Sequence, residues 1–158
     1  MIVGNKVQFA IGYKYTDSES VGNLTIWIGG IALNGDALDY VSYISEFWRV
    51  IMKPQEFVDF PHSNLQPIEI LNNIVNNSSF EDSVDQKHVI KCTGGFDNYI
   101  IVSFIEYGVV NLVWANHFDS TASVIANANS AKISFADYRK TLLQFSDNLP
   151  SINFAIPT

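Results

Sequence analysis

Polar and apolar residues alternate at the start of the chain: Val7, Phe9, Ile11, Tyr13 and Tyr15 fall on one side, Lys6, Gln8 and Lys14 on the other. A period of two predicts a β-strand with one buried face. Residues 17–23 are polar, contain a glycine and predict a loop. Residues 24–28 (Leu-Thr-Ile-Trp-Ile) read as a second strand, and Gly29-Gly30 suits a tight hairpin turn because glycine accepts positive φ. Ile31-Ala32-Leu33 then forms a short return strand, closed by Asn34-Gly35.

From Ala37 the period changes. Ala37, Val41, Ile44, Trp48 and Ile51 advance in steps of four and three, which predicts one apolar stripe of a helix over 37–53. Asp36 is placed to cap it and Pro54 to stop it. Residues 54–64 read as a loop. Pro67 fits a first helical turn, with Ile68, Leu71, Ile74 and Val75 as the core-facing stripe and Asn72, Asn73, Asn76 and Asn77 on the wet side.

After the acidic stretch 81–85 come three further strands. Residues 88–90 form the first, and 99–105 are apolar on both faces, as in a strand covered on each side. Glu106-Tyr107-Gly108-Val109 turns that strand into 110–114 through a two-residue hairpin. Residues 118–131 are small and polar and define no element, although 123–126 fit a short edge strand. In the last helix Ser134 and Asp137 sit at capping-box spacing, and Phe135, Tyr138, Leu142, Phe145 and Leu149 make the apolar seam before Pro150. The order β-β-β-α-α-β-β-β-α implies an α+β fold: one antiparallel sheet of five to six strands with three helices packed on it. The 158 residues suit a single domain, 1–158.

Charge narrows the class of partner. Charged residues make up 16% of the chain, below the typical ~25%, and 15 Asn and 15 Ser supply neutral polarity instead. Nine basic residues face sixteen acidic ones, a net charge of −7 spread over both halves. An acidic field repels phosphate backbones and anionic lipid and attracts cationic partners, so direct nucleic-acid and membrane binding are disfavoured. No secretory pattern and no apolar run of ~18–20 residues is seen, which predicts a cytoplasmic protein. The single cysteine, Cys92, excludes an internal disulfide framework.

Candidate chemistry is sparse. His88 and Cys92 share one face of a predicted strand but lie about 13 Å apart at ~3.3 Å per residue, too far for a thiolate–imidazole pair. His117 and Asp119 form a His-x-Asp step with no nucleophile near them in sequence. His62, His88 and His117 lack metal-motif spacings, and neither glycine pair has a phosphate-loop frame. The expectation is a binding protein without catalytic, cofactor or metal residues. The alternatives are an enzyme whose site assembles only in three dimensions around Cys92, His88 and His117, or a general adaptor module.

One segment has the composition of a contact surface. With 37–53 helical, Asp39, Tyr43, Glu46 and Val50 lie opposite the buried stripe, and the following loop adds Glu56, Phe57, Asp59 and Phe60. Residues 36–69 carry six acidic residues against Arg49 and Lys53. An exposed tyrosine among carboxylates is the pattern of an anchor with a charged rim, so Asp39, Tyr43, Glu46, Glu56 and Asp59 are the expected contact residues for a basic protein.

The opening Met1-Ile2-Val3-Gly4-Asn5-Lys6-Val7-Gln8-Phe9-Ala10-Ile11 resembles that of the immunity protein 42 family of bacterial polymorphic-toxin immunity proteins, which also runs from a Met-Ile-x-Gly stretch into a Phe-Ala-Ile strand. The short hairpin at Trp27-Ile28-Gly29-Gly30, the later hairpin over 99–114 and the C-terminal amphipathic helix are similar to that family's layout. The resemblance implies a cytosolic immunity protein of contact-dependent inhibition or a related system. Such a protein binds a cognate toxin C-terminal domain, often a nuclease, and blocks its active site or substrate surface. It implies no catalytic residues and identifies no toxin contacts.

Overall fold

The structure, a computed structural model, describes residues 1–15, 21–34, 39–40, 64–76, 98–116 and 127–148. Its strands are β1 (Ile2–Asn5), β2 (Phe9–Tyr15), β3 (Val21–Ile28), β4 (Ile31–Asn34), β5 (Asp39–Tyr40), β6 (Tyr99–Glu106), β7 (Val109–Asn116) and β8 (Asn129–Ser134), with helices α1 (Pro67–Asn76) and α2 (Phe135–Asp147). The fold is α+β, as expected, but the single sheet is not found. The strands divide into two antiparallel sheets, one ordered β1-β2-β3-β4 with β5 also on β3, the other ordered β6-β7-β8.

The first sheet begins earlier than the polarity pattern predicts. Asn5 Oδ1 accepts a hydrogen bond from Val7 N–H (3.0 Å), and Gln8 N–H donates to Asn5 O (3.0 Å). These bonds close a turn over residues 6–8, so Ile2–Asn5 is a separate strand paired with Phe9–Gly12. Val7, expected on the buried side of a strand, is 74% exposed in that turn. From Phe9 onward the predicted inner face is found: Phe9, Ile11 and Tyr13 are buried beside Leu24, Ile26 and Ile28 of β3 and Leu33 of β4, while Ala10 and Gly12 between them are buried as well. The Gly29-Gly30 turn forms as predicted, with φ of 58° and 85°, and sets Ile28 opposite Ile31. Residues 21–23, expected in a loop, belong to β3.

The inner face of this sheet packs on one face of the second. Ile101 of β6, Val110, Leu112 and Trp114 of β7 and Ile133 of β8 complete one apolar cluster, which Tyr138, Leu142 and Phe145 of α2 close from the side. The other face of β6 and β7 presents Ile100, Val102, Phe104, Val113 and Ala115 to Ile70 and Leu71 of α1. Burial of 99–105 on both faces therefore arises because β6 lies between a sheet and a helix. The layers run sheet, sheet, helix. The two apolar inner faces cover each other by stacking face to face.

The helices keep the boundaries that local chemistry dictates. Pro67 opens α1, and the Glu69 carboxylate reaches back to accept from Gln66 N–H at 2.8 Å. Ser134 caps α2: its Oγ accepts from Asp137 N–H (3.1 Å) and donates to Asp137 Oδ2 (2.6 Å). Asn148 ends α2, donating its backbone N–H to Phe145 O. β8 was not foreseen. Only Ile133 on it is buried, so its sequence carries almost no apolar pattern. The expected strands at 88–90 and 123–126 lie outside the described residues.

Candidate protein-binding surface

The expected acidic contact face falls largely outside the described residues: Tyr43, Glu46, Glu56 and Asp59 are among those not described. Asp39 is described, and it is not helical. Asp39 and Tyr40 form β5 and pair with Gly22 and Val21. The helical phase that set Asp39 in line with Tyr43 and Glu46 therefore does not begin at Ala37. Backbone pairing with β3 overrides a local helical pattern already weakened by β-branched and aromatic residues.

The most exposed large apolar side chains of the framework are Tyr107 (97% exposed) and Val7 (74%). Tyr107 occupies the tip of the β6–β7 hairpin, where Glu106 pairs with Val109 and the two central residues have φ of 50° (Tyr107) and 76° (Gly108). Both central angles positive is the type I′ geometry that twists with the flanking strands, and it favours Asn-Gly. Tyrosine in the left-handed region costs roughly 1–2 kcal/mol, because its Cβ crowds the following carbonyl. The tip is tied to the start of α2: Phe135 N–H donates to Gly108 O (2.9 Å), and Val109 pairs with Ser134.

A cleft of about 230 Å³ is lined by Gly4, Asn5, Gln8 and Phe9 on one side and by Ile133 of β8 and Asp137, Lys140, Thr141 and Gln144 of α2 on the other. The Phe9 ring stacks on Tyr138 at a centroid distance of 4.7 Å and fixes the turn against the helix. Val7 adjoins Gln8 on one wall, and Asp137 on the other is hydrogen-bonded to Ser134 beside the hairpin tip.

A second, shallower groove of about 500 Å³ crosses the outer face of the first sheet, lined by Ile2, Gly12, Lys14, Asn23, Thr25 and Trp27 among others. The Trp27 ring lies so close over Gly12 that a Cβ there would sit 2.7 Å from it. Lys6 Nζ stands 4.6 Å from the ring centroid, a cation–π contact that ties the turn to the sheet.

No group of three or more His, Cys, Asp or Glu that could hold a metal ion occurs among the described residues. His88, Cys92 and His117 lie outside them, so the structure does not bring that trio together or separate it. Among the described residues no helix is long and apolar enough to cross a membrane.

No family model matches the chain, and no curated protein does. Among solved structures the chain is similar to CdiI of Burkholderia dolosa, a contact-dependent inhibition immunity protein, with a TM-score of 0.70 over 93% of this chain and 99% of that one. Sequence identity is 16%, so the likeness is one of fold.

Proposed function

We propose that this chain is a cytoplasmic immunity protein that binds and neutralises a cognate toxin C-terminal domain and performs no catalysis of its own. The observation that carries the reading is the fold shared with CdiI along nearly the full length of both chains. The opening residues 1–11, which resemble the immunity protein 42 family, support it from a separate direction. Charge gives the reading a physical mechanism. A toxin that cuts nucleic acid needs a basic substrate surface, and a chain of net charge −7 is drawn to such a surface and excludes phosphate from it. Inhibition is then occlusion of the active site or substrate surface. The acidic segment keeps its proposed part: Asp39, Glu46, Glu56 and Asp59 supply rim charge and Tyr43 an anchor.

The test is to look for a toxin gene beside this one and to co-express the C-terminal domain of its product with this chain. Cells making both should grow, cells making the domain alone should not, and the two proteins should co-purify. Growth arrest despite co-expression sinks the proposal. So does robust turnover by the purified protein that Cys92→Ala or His117→Ala abolishes.

A further inference from the structure

β8 ends the second sheet and pairs with β7 along its whole length without a bulge. The hydrogen-bond phase of that ladder is fixed where the strand ends. Phe135 N–H donates to Gly108 O, so Ile133, Ala131 and Asn129, at two-residue steps from Phe135, direct their main-chain groups to β7. Ser130 and Lys132 between them direct N–H and C=O away from it. Both residues are exposed, and among the described residues no further strand pairs with them. Edge strands are commonly blunted by proline, by a bulge or by a covering element. β1 has such protection: Gly4, at φ of +89°, departs from extended backbone, and Thr141 of α2 lies against it. β8 contains neither proline nor glycine, and Lys132 is its one charged residue.

We infer that the outer edge of β8 pairs with the same edge of a second copy of this chain, antiparallel about a two-fold axis through Ala131. In that register Ser130 of each copy faces Lys132 of the other. Each such pair exchanges two N–H···O bonds, so the outward groups of both residues are met. The pairing is self-complementary, as a two-fold interface requires. Other registers serve less well. An axis through Lys132 sets two ammonium groups directly opposite each other, which is destabilising. An axis through Ser130 overlaps only residues 129–131 of the two strands, against 129–133 for the axis through Ala131. At that axis the two Ala131 residues form a non-hydrogen-bonded pair, where Cα atoms approach to about 4.5 Å and a small side chain fits. The Ser130 hydroxyl can accept from the facing Lys132 ammonium. The order β6-β7-β8 then continues into β8-β7-β6 of the second copy as one sheet. So short a ladder buries little area, and the dimer is weak and concentration-dependent. The inference does not rest on the immunity reading.

Sedimentation of the full chain between about 10 μM and about 1 mM should show a mass rising from one copy toward two. The deciding variant is Lys132→Pro. It removes an N–H that points away from β7 and leaves the β7 ladder whole, so self-association should be lost while Tm stays within a few degrees of the parent. Ala131→Pro, one residue away, removes a ladder bond to Leu112 and should lower Tm clearly. Cysteines read the register. Ala131→Cys should give a disulfide-linked dimer on mild oxidation, because the two sites face each other at the axis. Ser130→Cys lies two residues out of line with its own copy, beyond the ~7 Å reach of a disulfide, and should crosslink no more than the parent with its Cys92. A chain that stays monomeric at about 1 mM overturns the inference. So does a dimer that a folded Lys132→Pro leaves intact. If Lys132→Pro fails to fold, the cysteine variants decide: a parent dimer in which Ala131→Cys crosslinks no better than Ser130→Cys is built elsewhere, and the inference falls. A monomeric parent whose affinity for a toxin C-terminal domain drops about tenfold or more in Lys132→Pro would seat a strand of the toxin on this edge, which also overturns it.

Discussion

Gly4→Ala should be one of the most damaging single-methyl additions this fold can receive. Gly4 has φ of +89°, and a Cβ built on it lies 2.5 Å from the Phe9 carbonyl oxygen, 2.6 Å from Thr141 Cγ2 and 2.9 Å from Thr141 Oγ1. Two costs follow. Forcing an L-residue to positive φ costs roughly 1–2 kcal/mol, and overpacking a filled site adds about 1–3 kcal/mol. Neither neighbour yields easily. Phe9 begins β2 opposite Asn5, so its carbonyl is fixed by the β1–β2 ladder, and Thr141 is buried on α2. A total of about 2–5 kcal/mol is a large share of the ~5–15 kcal/mol that holds a domain folded. Gly30→Ala is the internal control. Its φ is +85° but nothing lies within 4 Å of the added carbon, so it carries the conformational cost alone. Reduced freedom of the unfolded chain returns about 0.4–1 kcal/mol in both variants, leaving roughly 1 kcal/mol for Gly30→Ala. Equilibrium urea unfolding of the parent and both variants reads the difference directly, provided the m-value is shared. Adding Thr141→Ala to Gly4→Ala should recover only part of the loss, because the Phe9 carbonyl remains. If Gly4→Ala and Gly30→Ala unfold at the same midpoint, Gly4 is not packed against Thr141 and the Phe9 carbonyl as closely as those distances require.

Three further outcomes are expected. Ser134→Ala should cost about 1 kcal/mol in urea unfolding, since Asp137 N–H loses its capping oxygen at the exposed start of α2; an unchanged midpoint would deny the cap any role. Phe145→Ala, at a side chain 0% exposed between the first sheet and α2, should cost about 3–5 kcal/mol, and a loss below 1 kcal/mol would mean that the cluster is not close-packed. Association with the toxin domain should slow steeply between low and physiological salt, while Asp39→Lys with Glu46→Lys should slow it further and leave the dissociation rate nearly unchanged; stopped-flow rates flat in salt would refute steering by the acidic segments.

What the sequence by itself determined is whatever neighbouring residues decide among themselves. Period-two alternation marked β2, the strand-like run 24–28 marked most of β3, glycine at positive φ marked the Gly29-Gly30 turn, and Ser134 with Asp137 marked the start of α2. The Tyr107-Gly108 hairpin was legible for the same reason, although its exposure was not. The β1–β2 turn left a trace that alternation masked: Gly4-Asn5 has turn chemistry, but Val7 continued the period and hid it. Only the tertiary structure decided that the strands form two stacked sheets, because an apolar face is satisfied by any apolar cover and its pattern does not say which. It also decided that Asp39 and Tyr40 extend along β3 and that β8 closes the second sheet with one buried residue; both depend on backbone bonds to distant strands, which leave no mark on side-chain polarity.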